Sequence, residues 1–129
     1  MLEKLETIRM SRAMSAHAAE RAKVIAGNVA NADTPGFRAR DLRPFAESYR
    51  NAGANPIRAT RAGHFTSTDA GGMSARVTEE QGGRAPNGNS VSLEDEMVKN
   101  AETKRQHDIS IAVYRSSLTM LRTAMGRKG

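Results

Sequence analysis

The last third of the chain constrains the fold most, because its larger side chains recur at alternating spacings of four and three residues. This spacing is typical of a helix that packs lengthwise against another helix. Ser92 precedes the series as an N-terminal cap, and Gly126 can end it. The sequence therefore predicts one helix over residues 93–125. Its predicted seam consists of Leu93, Met97, Asn100, Lys104, His107, Ile111, Tyr114, Leu118, Leu121 and Met125.

The first part of the chain predicts a second long helix. From Leu2 to Asn31 there is no proline and one glycine, Gly27, and alanine, the strongest helix former, recurs throughout. The same spacing gives a seam that is apolar at both ends and small or polar in its centre, so that another backbone can come close. This predicted seam consists of Met1, Leu5, Ile8, Arg12, Ser15, Ala19, Ala22, Ala26 and Val29.

A long helix with a narrow apolar edge gains most of its stability by burying that edge. We therefore predict a mainly α fold in which the N- and C-terminal helices pair as a coiled coil. The segment between them is rich in glycine and asparagine, which favours extended chain with at most a short β-hairpin, where residues 58–68 alternate weakly. The expected division is an N-terminal helix (1–32), a turn and an extended or flexible connection (33–91) and a C-terminal helix (92–129), with 1–32 and 92–129 forming one domain.

Large apolar side chains are scarce in this chain. Leu, Ile, Val and Phe together number 20 of 129 residues, below the roughly 20% at which a charged chain is usually disordered or dependent on a partner. Pairing the two helices would also leave a second apolar flank of the C-terminal helix uncovered, which indicates contacts with further chains. That flank consists of Val98, Ala101, Ile109, Ala112, Val113, Met120 and Ala124.

The net charge of +6 and the pI near 10.3 raise the possibility of a nucleic-acid partner. Basic residues, however, alternate with acidic ones along the chain, and only 4% of the residues are aromatic. Because nucleic-acid binding usually requires a concentrated basic surface, and single-stranded binding also aromatic side chains, we expect no nucleic-acid partner. A nucleic-acid-binding protein and a small basic helical adaptor stay as the alternative interpretations.

Catalytic and metal-binding patterns are missing from the sequence. The chain has no cysteine, and its three histidines, His17, His64 and His107, lie far apart without a nucleophile or metal-ligand motif. His17 and Glu20 could reach one metal ion from the same helix, but a single such pair is far more often a solvated or packing pair. We expect no enzymatic activity, no metal and no cofactor. No apolar run is long enough for a signal peptide or a membrane span, which by itself indicates a cytoplasmic protein.

The segment from Gly27 to Leu42, GNVANADTPGFRARDL, is the most distinctive part of the sequence. Its short polar side chains hydrogen-bond to nearby backbone and favour the end of a helix. Pro35 and Gly36 suit the two central positions of a type II turn, in which glycine accepts a positive φ. The segment therefore predicts a helix end followed by a tight turn.

This segment resembles the signature of the bacterial flagellar rod and hook proteins, and the nearest likeness is to the proximal rod proteins. The likeness continues in ATRAGHF (59–65) and in NGNSVSLEDEMVKNAE (87–102) and so covers nearly the whole chain. Phe37 stands where tyrosine is common, and Ala62-Gly63 replaces a proline that often precedes the histidine. The positions that match the signature are Asn28, Asn31, Asp33, Thr34, Pro35, Gly36 and Phe37, with Thr60 and His64 matching the loop element.

The resemblance implies a structural subunit of the proximal rod, which assembles with other axial proteins into a helical tube that transmits torque and encloses the export channel. It implies as partners other copies of the chain, neighbouring rod proteins, the rod-to-ring junction protein FliE, the membrane-ring protein FliF and the flagellar type III export apparatus. It also implies export without a cleaved signal peptide and a final place in the periplasmic rod. The predicted seams of both helices would then supply packing between helices and between subunits.

Overall fold

The computed structural model describes residues 2–54 and 77–126. The loop element with Thr60 and His64 and the weakly alternating segment 58–68 lie outside the described residues. In chain order the elements are helix α1 (Leu2–Ala30), strand β1 (Arg40–Leu42), helix α2 (Phe45–Ala54), strand β2 (Val77–Glu79) and helix α3 (Leu93–Gly126).

Helices α1 and α3 pack against each other as an antiparallel pair. Lys4 and Thr7, near the start of α1, share a groove with Ser117 and Met120, near the end of α3. Ser92 caps α3 as predicted, since its Oγ accepts a hydrogen bond from the N–H of Asp95 at 3.4 Å. The predicted mainly α fold with paired terminal helices is confirmed. Between the helices, where the sequence predicts at most a short β-hairpin, two short strands far apart in sequence pair antiparallel.

The buried seam between the helices lies one residue before the predicted seam on both helices. On α3 the most buried positions recur every seven residues, at Glu96, Thr103, Ser110 and Ser117. On α1 the corresponding positions are Ser11, Ala18 and Ile25, with Asn28 completing the series. Apart from Ile25, the buried seam is therefore made of small and polar side chains, and the large apolar residues of the predicted seams lie beside it.

Small hydroxyl side chains explain this displacement. Ser110 donates to the carbonyl of His107 at 2.7 Å, Thr103 to that of Lys99 at 2.7 Å, and Ser11 to that of Ile8 at 2.9 Å. Each hydroxyl is thus satisfied within its own helix, so that it can be buried at the closest approach without a partner across the seam. Where Ser110, Thr103 and Ser11 lie, bulkier side chains would hold the backbones apart.

Every residue of the predicted packing set is exposed or half-buried in the single chain. Their contacts with other subunits stay a prediction. The exposed residues of the set are Leu5, Ala19, Ala22, Val29, Leu93, Met97 and Met125. The half-buried residues are Ile8, Ile111, Tyr114, Leu118 and Leu121.

Between the long helices the chain forms a small sheet and a short helix. Strands β1 and β2 pair antiparallel, with Arg40 opposite Glu79 and Leu42 opposite Val77. The predicted turn and extended or flexible connection over residues 33–91 did not include helix α2. Its signal is local: Phe45 and Tyr49 lie one turn apart and stack with their ring centroids 5.5 Å apart, which anchors the helix.

Few apolar side chains are buried in the part of the chain that the structure describes. The buried ones are Ala18, Ile25, Ala39 and Leu42, of which only two are large. Large apolar side chains that stay exposed are far more numerous: Leu2, Leu5, Met10, Val29, Val77, Leu93, Met97, Val98, Ile109, Met120 and Met125. The scarcity of large apolar side chains in the composition therefore appears in the described fold as a small apolar core.

Candidate functional site

A cluster of asparagines joins the end of α1 to the segment that leads into α3. We call the two segments that these asparagines join the clasp, and we define it as residues 28–40 together with residues 85–92. Asn28 is 1% exposed and pairs with both backbone groups of Arg40. Its Nδ2 donates to the Arg40 carbonyl at 2.7 Å, and its Oδ1 accepts from the Arg40 N–H at 3.0 Å. The side chain thus replaces a missing neighbouring strand and fixes the chain beside α1.

Asn89 holds the turn that follows α1 from the other side. Its Nδ2 lies within 2.9 Å of the carbonyl oxygens of Asn31, Ala32 and Thr34, and its Oδ1 accepts from the N–H of Val91 at 2.8 Å. Asn89 is 4% exposed. One buried amide therefore binds three carbonyls of the turn that follows α1, of which those of Asn31 and Thr34 also accept a backbone N–H.

Two tight turns meet in the clasp through glycine. Gly36 has φ 73° and follows Pro35, and the N–H of Phe37 bonds to the carbonyl of Thr34 at 3.2 Å, so the predicted type II turn is confirmed. Gly88 has φ 83° and faces Gly36 so closely that an added Cβ would lie 3.4 Å from the Gly36 Cα. Both positions therefore require glycine for their conformation.

Backbone hydrogen bonds also join the two segments of the clasp. The N–H of Gly36 donates to the carbonyl of Asn87 at 3.0 Å, and the N–H of Ser90 donates to that of Phe37 at 3.0 Å. The Oγ of Ser90 accepts from the N–H of Ala39 at 2.8 Å. The entry to α3 is thereby tied to the exit of α1 along several residues.

An ion pair supports the clasp from the side of α1. The guanidinium of Arg21 donates to both carboxylate oxygens of Asp41 on β1, with Nε 3.0 Å from Oδ1 and Nη2 3.1 Å from Oδ2. Both side chains are about five-sixths buried, with 15% and 16% of their surface exposed. The hydrogen bond with Asp41 raises the pKa of Arg21 above its ordinary value. This fork-shaped contact fixes the sheet on the helix.

A second charged group lies where β2 meets α3. Lys99 binds Glu80 and also lies 3.1 Å from Oε1 of Glu96. Burial lowers the pKa of Lys99, but the hydrogen bonds and charges of the two glutamates outweigh it and leave the pKa raised. Glu96 is 1% exposed, and its Oε2 has no hydrogen-bond partner among the described residues.

His17 is buried against α2 and does not form a metal pair with Glu20. Its Nε2 donates to the carbonyl of Arg43 at 2.8 Å, which places the ring hydrogen on that nitrogen. The ring meets Phe45 edge to face, with centroids 5.7 Å apart. His107 lies half-buried on α3, next to Asp108. Over residues 2–54 and 77–126, no three acidic or histidine side chains are grouped as metal ligands.

The residues of the sequence motif all lie in the first segment of the clasp, but they differ in burial and in hydrogen bonding. Asn28 is buried, Asn31 donates to the carbonyl of Gly27 at 2.8 Å, and Thr34 donates to Oδ1 of Asn31 at 3.2 Å. Asp33 and Pro35 are exposed, and Phe37 is half-buried. Sequence reasoning missed Asn87, Asn89 and the pair of Arg21 with Asp41. A signal was available for Asn89, since an asparagine in a glycine-rich turn just before a helix cap often bonds to backbone.

The comparisons with known proteins agree with one another. The family model described as flagella basal body rod protein matches residues 10–38. The flagellar basal body rod protein FlgB of Agrobacterium fabrum is 33% identical over 106 residues, covering 78% of this chain and 78% of that protein. FlgB of Escherichia coli is 31% identical over 122 residues, covering 87% of this chain and 88% of that protein. The chain belongs to the FlgB family of flagellar basal body rod proteins. FlgB of Cereibacter sphaeroides is a further relative, 32% identical over 108 residues and 81% of this chain.

The predicted family is thereby confirmed. The structure shows where the residues matched by the family model lie in this FlgB-family chain. Residues 10–38 run from the buried seam of α1 into the first turn of the clasp. No helix in the described parts of this FlgB-family chain has the length and apolar character that a bilayer crossing needs.

Proposed function

We propose that the chain is a structural subunit of the flagellar basal body rod and performs no bond-making chemistry. The observation that carries this proposal is the surplus of exposed apolar side chains on α3. Met97, Val98 and Met120 are 72%, 68% and 54% exposed in the single chain. Exposed apolar surface of this extent marks contacts with other chains. FlgB relatives named as basal body rod proteins supply the kind of assembly in which such contacts form.

The proposed assembly is a helical tube. Head-to-tail contacts between equivalent surfaces give a helix when the rotation does not close into a ring. We propose that residues 1–32 and 92–129 form the packed wall of this tube, that the wall encloses the export channel, and that it transmits torque. Residues of the predicted packing set, such as Leu5, Met97 and Met125, would lie against neighbouring subunits.

The proposed partners are other copies of the chain, other rod proteins, the junction protein FliE, the membrane-ring protein FliF and the export apparatus. In this proposal the chain leaves the cytoplasm through that apparatus without a cleaved signal peptide and ends in the periplasmic part of the rod. The support for it is family membership together with the uncovered flanks. The clasp would set how the two wall helices are presented to these partners.

A charge placed on the apolar flank tests the proposed packing. Met120→Glu is expected to lower the amount of chain recovered in isolated basal bodies about tenfold or more, because an unpaired buried charge costs several kcal/mol and 1.4 kcal/mol corresponds to a factor of ten. Swimming on soft agar is expected to stop. The amount of chain inside the cells should stay near the wild-type level.

The matched control is Thr119→Glu. Thr119 is the preceding residue on the same helix turn, is exposed and lies outside the apolar flank, and the change adds the same charge. This variant is expected to assemble and swim as the wild type does. Equal recovery of the two variants in basal bodies would contradict the packing that we propose for α3.

The ion pair of Arg21 predicts a temperature-sensitive variant. Arg21→Lys keeps the charge but cannot bind both oxygens of Asp41, so we expect a loss of about 1–2 kcal/mol in the free energy of unfolding. Swimming should be near normal at low growth temperature and be lost at a temperature that the wild type tolerates. Lys23→Arg, at an exposed pair with Glu20, should leave the temperature limit unchanged. If Arg21→Lys had the same temperature limit for swimming as the wild type, the fork-shaped contact would contribute little to the free energy of unfolding.

A further inference from the structure

The Asn87–Gly88 pair in the clasp contains the two groups that react when an asparagine loses its side-chain amide. We infer that Asn87 is a site of spontaneous deamidation and that the closed clasp suppresses the reaction. Glycine has no side chain, so its backbone nitrogen can approach the preceding carboxamide more easily than that of any other residue. Among other asparagines of the chain, Asn28 precedes valine and Asn100 precedes alanine, whose side chains hinder the same approach.

The reaction needs no partner except water. The backbone nitrogen of Gly88 attacks Cγ of Asn87, the new N–Cγ bond forms, and the Cγ–Nδ2 bond breaks. The hydrogen from the Gly88 nitrogen leaves with the amide group as ammonia. Water then opens the resulting succinimide at one of its two carbonyl carbons, giving an aspartyl or an isoaspartyl residue at position 87.

The clasp restrains both reacting groups. The N–H of Gly88 donates to the carbonyl of Ala85 at 2.8 Å, in a turn with Pro86 and Asn87 at its centre. The Oδ1 of Asn87 accepts from the N–H of Asn89 at 3.1 Å. Attack requires the nitrogen to give up its hydrogen and the carboxamide to turn toward it, and both movements break bonds of the closed clasp. The reaction should therefore proceed mainly when the clasp is open.

The isoaspartyl product does not fit the closed clasp. An isoaspartyl residue adds one methylene group to the main chain between positions 87 and 88. The carbonyl of Asn87 accepts from the N–H of Gly36, and Gly88 packs directly against Gly36. The lengthened chain cannot keep both contacts in place. A chain that forms isoaspartate while it is open thus loses the ability to close, and closed subunits are protected.

The test follows deamidation at two positions of the same chain by peptide mapping. One sample is the full chain in guanidinium chloride, and the other is the chain in isolated basal bodies, held at the same pH and temperature. In denaturant, Asn87 is expected to convert at least about tenfold faster than Asn100, because only Asn87 precedes glycine. In basal bodies the conversion of Asn87 is expected to slow by about tenfold or more, as a bond at the reacting nitrogen must first open.

Asn87→Gln supplies the control for peak assignment, since its longer side chain forms the ring far more slowly. Equal conversion of Asn87 and Asn100 in denaturant would overturn the assignment of the site. Equal conversion of Asn87 in both samples would overturn its protection by the clasp. This inference rests on the proposed function only for the source of assembled chain. Absence of the chain from basal bodies would contradict the proposed function. The comparison of Asn87 with Asn100 in denaturant would still test whether Asn87 is the deamidation site.

Discussion

Asn89→Ala is expected to abolish rod assembly and swimming. The change removes the amide that binds the carbonyls of Asn31, Ala32 and Thr34. The Asn31 and Thr34 carbonyls keep the N–H groups of Thr34 and Phe37 as donors, but the Ala32 carbonyl and the Val91 N–H lose their partners. Two backbone groups left without partners cost about 2–4 kcal/mol in total, after allowance for partial access of water. The whole free energy of unfolding of a small domain is about 5–15 kcal/mol, and the apolar core here is thin. The measurement is the amount of chain in isolated basal bodies, together with swimming on soft agar.

Two further variants make this result specific. Asn89→Asp keeps the size of the side chain and an acceptor for the N–H of Val91, but its carboxylate faces carbonyl oxygens. We expect it to fail as Asn89→Ala does. Asn100→Ala makes the same truncation at an exposed position of α3 and should assemble normally. Assembly of Asn89→Asp at the wild-type level would show that donation by the amide is dispensable.

Ser110→Leu is expected to separate the paired helices. Ser110 is 1% exposed and lies at the centre of the buried seam, where its hydroxyl bonds within its own helix. A leucine there must displace α1, and overpacking of this kind costs about 1–3 kcal/mol. We expect swimming to fall strongly and to be lost on modest warming. The measurement is the growth temperature at which swimming stops.

The controls separate size from polarity. Ser110→Ala removes the hydroxyl but keeps the side chain small, and it leaves no partner across the seam unsatisfied, so it should swim nearly as the wild type does. Thr119→Leu adds a leucine at an exposed position of the same helix and should also be tolerated. A temperature limit for Ser110→Leu equal to that of Ser110→Ala would contradict close packing at this position.

The ends of the long helices could be predicted from sequence because their signals are local. Ser92 caps α3 with its own side chain, and the prediction of a helix from residue 93 is confirmed. The turn at Pro35 and Gly36 follows from the conformations that these two residues allow. Helix α2 was missed although Phe45 and Tyr49 lie at helical spacing, because the prediction took residues 33–91 as a turn and an extended or flexible connection.

The position of the seam could not be predicted from spacing alone. Apolar residues such as Met97 and Leu118 keep a heptad spacing, but the same spacing arises whether they face the partner helix of one chain or a neighbouring subunit. In this chain the helices meet along Thr103 and Ser110, whose small size and internal hydrogen bonds leave no apolar signal. The contacts of Asn89 with Asn31, Ala32 and Thr34 join residues far apart in sequence, so a local pattern could indicate a backbone-binding asparagine but not its partners.

The absence of direct polar links along the seam has a mechanical consequence. Within residues 2–54 and 77–126, no hydrogen bond or ion pair connects a side chain of α1 directly to one of α3. The polar links that fix their lengthwise alignment run through the clasp and through the small sheet, by way of Asp41 and Glu80. Slip between the helices is therefore resisted at one end, near Asn28, and much less at the other, near Thr7 and Ser117. A subunit under axial load would change length at its far end while its anchored end kept its geometry.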